Sequence, residues 1–112
     1  MRYRDRVYEI FSACKVSTGM KGVMYIGDAI EYIDIDNCHD IVMEEVYTEL
    51  SYKYNTTITK VQQNMRYAFI KAMNSGNKEM IKKYFSTPLK GNRSLLYHIY
   101  FELKREKVQR NG

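Results

Sequence analysis

The chain has 112 residues, 45% apolar and 28% charged, which suits one small domain with a single core. No stretch approaches the ~18 uninterrupted apolar residues of a membrane helix, and the opening MRYRDRVYEIFSACK scatters charges among its apolar positions, which excludes a signal peptide. Two cysteines, Cys14 and Cys38, are too few for a disulfide framework, so both are read as reduced thiols of a cytoplasmic protein.

Taken in chain order, apolar residues recur at helical spacing and strand signals are weak. A first helix is predicted from about Tyr3 to Cys14, with Val7, Ile10, Phe11 and Cys14 on one face. Ser17 to Gly22 reads as a loop. A second helix carries Val23, Ile26, Ile30 and Ile33, and Asp34 to Asp40 reads as a polar turn. A third runs from about Asp40 to Lys53 with Ile41, Val42, Val46 and Leu50. Thr57 is a good N-cap for a fourth, because its hydroxyl can accept from an orphan backbone amide. That helix ends near Asn74, where Gly76 can take the left-handed cap conformation. A short fifth helix covers Lys78 to Phe85, and Pro88 to Asn92 reads as a loop. The last helix starts near Ser94, carries Leu95, Ile99 and Leu103, and is expected to fray into the basic tail Lys104–Lys107. The fold class is all-α, with about six helices in one domain spanning 1–112.

The formal charge of +5 is unevenly spread. Residues 1–50 hold five Lys/Arg and ten Asp/Glu, whereas residues 51–112 hold thirteen Lys/Arg and three acids. A polyanionic partner would meet the second half.

The segment from Glu44 to Met73 has the spacing of a helix-turn-helix in helices three and four. That motif needs a small residue in its first helix, a residue tolerant of positive φ in the turn, and a buried aliphatic in its second helix. Ser51, Asn55 and Val61 meet these demands, and Asn visits the left-handed region more readily than most residues. On the helical wheel of the fourth helix, Val61, Met65, Ala68 and Ala72 face the core. Thr59, Gln63, Arg66 and Ile70 fall opposite, flanked by Lys60, Gln62 and Tyr67. From Asn55 to Lys78 there is no Asp or Glu, as expected of a helix that approaches phosphates. Gln pairs bidentately with adenine, and Arg with guanine or a phosphate. An ordinary solvated helix face would mix charge signs, and this one does not. The candidate DNA-binding residues are thus Thr57, Thr59, Lys60, Gln62, Gln63, Arg66 and Tyr67, with double-stranded DNA as partner.

These residues carry a family resemblance. Gly19-Met-Lys-Gly-Val-Met-Tyr-Ile-Gly-Asp-Ala-Ile30, Val46-Tyr-Thr-Glu-Leu-Ser-Tyr-Lys-Tyr-Asn-Thr-Thr57, Lys60-Val-Gln-Gln-Asn-Met-Arg-Tyr-Ala68 and Ser75-Gly-Asn-Lys78, in this order, resemble the C-terminal DNA-binding domain of the sporulation initiation response regulator, stage 0 sporulation protein A. The resemblance covers about Arg6 to Lys107. It implies a six-helix bacterial transcription regulator that reads a short DNA box, often as tandem copies bound by a dimer. It implies base and phosphate contacts by Lys60, Gln62, Gln63, Arg66 and Tyr67, and a backbone-phosphate contact at the loop residues Lys21 and Gly22. The family has Glu-Arg where this chain has Gln62-Gln63, so a different base preference is expected. Glu44, Glu45 and Glu49 would oppose binding if they faced phosphates. The family domain normally follows a phosphorylatable receiver domain. None is expected here, so a phosphorylation switch would be absent or act in trans.

Other chemistries are set aside. Asp34 to Glu45 matches several ligand positions of a calcium loop but has His39 where the sharp turn requires Gly. Cys14, Cys38, His39 and His98 lack zinc-ligand spacing. His98 reads as a core-edge residue, and no glycine-rich phosphate loop exists, so no enzyme, cofactor or small-molecule substrate is expected. The stripe Leu95, Leu96, Ile99, Tyr100 and Leu103 either closes the core or forms part of a dimer contact. The alternative function is a protein-interaction module that has lost DNA binding and modulates a full-length regulator.

Overall fold

The computed structural model describes residues 2–36 and 42–111. Six helices occur among them: α1 (Tyr3–Ala13), α2 (Lys21–Asp36), α3 (Met43–Lys53), α4 (Ile58–Met73), α5 (Lys78–Tyr84) and α6 (Asn92–Asn111). No strand occurs among the described residues. The helix α2 is central and packs against α1, α3, α4 and α6. Its role follows from its sequence, since Val23, Tyr25, Ile26, Ala29, Ile30 and Ile33 are all buried, a wider apolar face than a surface helix presents.

The expected core faces of the other helices are buried as well. Val7, Ile10 and Phe11 of α1, Val46 and Leu50 of α3, and Val61, Met65, Ala68 and Ala72 of α4 are at most 4% exposed. Phe69, also buried, meets Phe11 and Phe85 at ring-centroid separations of 6.0 and 6.3 Å. This aromatic cluster ties α4 to α1 and to the chain leaving α5.

The helix α2 runs on to Asp36, so Asp34 to Asp36 are helical where a polar turn was expected, and four further boundaries differ from the sequence reading. Lys21 and Gly22 belong to the first turn of α2 rather than to the preceding loop. The third helix begins at Met43, with Val42 as an exposed N-cap. Ile41, the Cys38-His39 pair and the middle of the supposed calcium loop lie outside the described residues. Third, α6 begins at Asn92, two residues earlier than expected. Finally, α6 does not fray at Lys104–Lys107 but continues to Asn111. Tertiary bonds hold that stretch. The Glu106 carboxylate accepts from Tyr84 Oη at 2.5 Å, Lys83 Nζ at 3.0 Å and Arg6 Nη2 at 3.3 Å. The stripe Leu95, Leu96, Ile99, Tyr100 and Leu103 is buried within the chain, so it closes the core, and the dimer-contact reading of those five side chains is withdrawn.

Candidate nucleic-acid interface

The interface is built from the α3–turn–α4 unit. The end of α3 is held by α2. Asp28 is buried and has three partners: Arg4 Nη1 at 2.8 Å, Lys53 Nζ at 3.0 Å, and the Tyr54 hydroxyl through a short hydrogen bond. Tyr54 also meets the Tyr25 ring edge-on at 5.0 Å. Burial alone would raise the Asp28 pKa, but the hydrogen bonds from Tyr54, Lys53 and Arg4 outweigh it and hold the carboxylate below its ordinary value. Burial and the hydrogen bond to Asp28 push the Tyr54 phenol well above its usual range.

The next residue makes the turn. Asn55 takes φ +51°, as the spacing predicted, and Thr56 N donates to Ser51 O at 2.9 Å to close it. Thr57 then caps α4, its Oγ1 accepting from Lys60 N at 3.2 Å. Thr57 is therefore committed to the helix start as well as being exposed. At the crossing of α2 and α4, Gly22 packs against the Asn64 main chain, where a Cβ would overlap the Asn64 carbonyl and lie 2.9 Å from Ala68 Cβ. This position corrects the reading of Gly22 as a loop residue open to a phosphate: it is buried, and its bare Cα sets the helix separation. Lys21 beside it is exposed at the start of α2.

With one side of α4 locked into the core, the other faces outward. Thr59, Lys60, Gln62 and Gln63 are exposed, and Tyr67 is 58% exposed. Arg66 is half-buried, and its Nη1 donates to Lys90 O in the loop before α6. A guanidinium has five donors, so this bond orients Arg66 without exhausting it. Ile70, on the same face, is 40% exposed.

The structure adds residues that the sequence reading missed. A groove of about 660 Å³ runs beside the outer face of α4, walled on its far side by Tyr47 of α3 and by Gly91, Asn92 and Arg93 at the start of α6. Asn92 Nδ2 donates to Tyr47 Oη and to Gln62 O, each at 3.3 Å, which fixes this wall to the helix. No residue lining the groove is acidic. Arg93 therefore joins the cationic face from thirty positions downstream. Its only signal in the sequence is membership of the basic second half. Ile70 lines the same groove. Of the three acids of concern, Glu49 borders a different cavity with Arg2, Arg4 and Lys53, and Glu44 and Glu45 occupy the first turn of α3, where carboxylates suit the helix dipole.

Residues 7–96 match the family described as Sporulation initiation factor Spo0A C terminal. The match spans most of the chain. The chain belongs to the Spo0A C-terminal family. This is a family of helical, non-catalytic DNA-binding domains, the effector part of sporulation regulators. The described residues agree with it in the helix-turn-helix of α3 and α4. No solved structure matches the chain. Among the described residues there is no group of three His, Cys, Asp or Glu placed to hold a metal, and no helix long and apolar enough to cross a membrane. His98 is half-buried, its Nε2 3.0 Å from Lys83 O.

Proposed function

We propose that this chain is a sequence-specific regulator of transcription that acts in the cytoplasm by inserting the first two turns of α4 into the major groove of double-stranded DNA. The observation that carries the reading is the outer face of α4. Lys60, Gln62, Gln63 and Tyr67 project from a helix whose opposite side is wholly buried, and no carboxylate borders the adjoining groove. In the major groove Gln62 and Gln63 would favour adenine through paired donor and acceptor contacts. Arg66 and Arg93 would hold phosphates, Arg66 with the donors that Lys90 leaves free. Lys60, Thr57, Thr59 and Lys21 would add backbone contacts around the same groove.

On tandem boxes two copies would bind side by side. Phe101 and Val108 are apolar and 50% and 63% exposed on the outside of α6, and they suit a homodimer contact better than the buried stripe does.

Selection of bound sequences from a random duplex library tests the proposal. Adenine-containing sites should be enriched, and affinity should fall with salt at a log–log slope of about −0.9 per phosphate held. Absence of any duplex binding at low salt would sink it and leave the protein-interaction module as the better reading.

A further inference from the structure

A second cleft, of about 410 Å³, opens where the C-terminal half of α4 meets the end of α1. Lys15, Tyr67, Ile70, Lys71 and Asn74 line it, and none of its lining residues is acidic. Tyr67 and Ile70 border both this cleft and the groove by Arg93, so one surface runs along the outer side of α4 from Gln62 to Asn74.

Lys15 has an unusual backbone. It takes φ +59°, a conformation in which a side chain is strained and that glycine fills freely. The position is the left-handed residue of a helix-ending motif. Lys15 N donates to Ser12 O at 2.9 Å and Val16 N to Phe11 O at 2.9 Å, and the buried Val16 supplies the accompanying apolar contact. The main chain thus satisfies the Ile10, Phe11 and Ser12 carbonyls at the end of α1, and Asn77 Nδ2 donates to Ala13 O at 2.9 Å. No capping task is left for the Lys15 side chain, which is exposed at the cleft. With those carbonyls met by the main chain and Asn77, the Lys15 ammonium group is presented at a cleft without carboxylates, where an anion can meet it.

We propose that Lys15, together with Lys71, grips a DNA backbone phosphate at the rim of the groove that α4 enters, so that the DNA-contacting surface extends to the α1 terminus, outside the helix-turn-helix. The inference rests on the DNA-binding reading above. The geometry suits it. Sixteen residues make α4 about 24 Å long, whereas the major groove is about 12 Å wide. A helix whose first turns read bases therefore carries its last turn out to the sugar-phosphate rim, as recognition helices that touch the backbone with their C-terminal ends do.

Lys15→Gly tests this without endangering the fold, because glycine relieves the strained φ. The intact chain and the variant would be titrated with a mixed-sequence duplex between about 50 and 200 mM salt. The expected result is a log–log slope shallower by about 0.9 for Lys15→Gly, weaker binding to every duplex alike, an unchanged selected sequence, and a thermal midpoint no lower than that of the parent. Lys71→Gln should reproduce the weakening. A variant with the parent's slope and affinity overturns the inference while leaving the DNA reading intact, and so does a variant that changes base preference at constant slope. If the parent itself binds no duplex, both readings fall together.

Discussion

Gly22 of α2 lies directly against the backbone of Asn64 in α4, with no room for a Cβ between the two helices. The residue before Asn64 is Gln63, one of the side chains proposed to contact DNA. The depth to which α2 lets α4 settle thus decides how the whole outer face is presented.

Gly22→Ala should therefore be damaging despite the gain in helix propensity. The new methyl meets main chain, which cannot swing aside as a side-chain tip can. A loss of about 1–3 kcal/mol or more is expected from overpacking, read as a lower urea midpoint at unchanged m-value. DNA affinity should fall further than stability alone explains, because α4 must move to accommodate the methyl.

The turn gives a paired prediction. Asn55 is exposed at φ +51°. Asn55→Gly should be neutral or slightly stabilising, whereas Asn55→Ala should lose about 1 kcal/mol because alanine has no local polar group to ease the left-handed conformation. Thermal unfolding of the two variants side by side checks the sign of the difference.

Acid should loosen the molecule at two carboxylates. Asp28 and Glu106 are both held below their ordinary pKa, burial being outweighed at each by hydrogen bonds, from Tyr54, Lys53 and Arg4 in one case and from Tyr84 and Lys83 in the other. A depressed folded-state pKa contributes stability that is full above the unfolded-state value of about 4 and is lost as pH falls through the folded-state value. The thermal midpoint should be flat above about pH 5 for these two groups and drop below pH 4. In Asp28→Asn that drop should be smaller, and the variant should already be weaker at neutral pH by about 1–3 kcal/mol, since Arg4 and Lys53 lose their shared anion.

Two substitutions on α4 should separate reading from holding. Gln63→Ala should relax preference at one base pair by about 1–3 kcal/mol and leave the salt slope unchanged. Arg66→Ala should weaken binding to all sequences and flatten the slope by about 0.9. If Arg66 instead reads guanine, the site-selection profile of its variant will lose a position, and the roles assigned to the two residues must be exchanged.

Much of this protein is legible in its sequence. Helical spacing identified the buried residues of α4, because a 3.6-residue repeat makes Val61, Met65, Ala68 and Ala72 neighbours on one side. Ser51, Asn55 and Thr57 announced the turn, because small size, tolerance of positive φ and amide capping are properties of the residues themselves. The absence of Asp and Glu from Asn55 to Lys78 marked the cationic face for the same reason. Phe69 escaped the wheel because it lies at the edge of the core sector, and a partner from another element, Phe85, decides its burial.

What the tertiary structure alone decided is where distant residues meet. Arg93 and Asn92 reach the side of α4 only because α6 packs across the core. The basic stretch Lys104–Lys107 stays helical because Tyr84, Lys83 and Arg6 converge on Glu106, a contact spanning 100 residues in the case of Arg6. Gly22 could be read from sequence as a flexible loop residue, yet the close approach of α2 and α4 makes it a spacer. Local chemistry sets which residues can turn, cap or face water. The pairing of surfaces far apart in sequence depends on how helices pack, and no single segment carries that information.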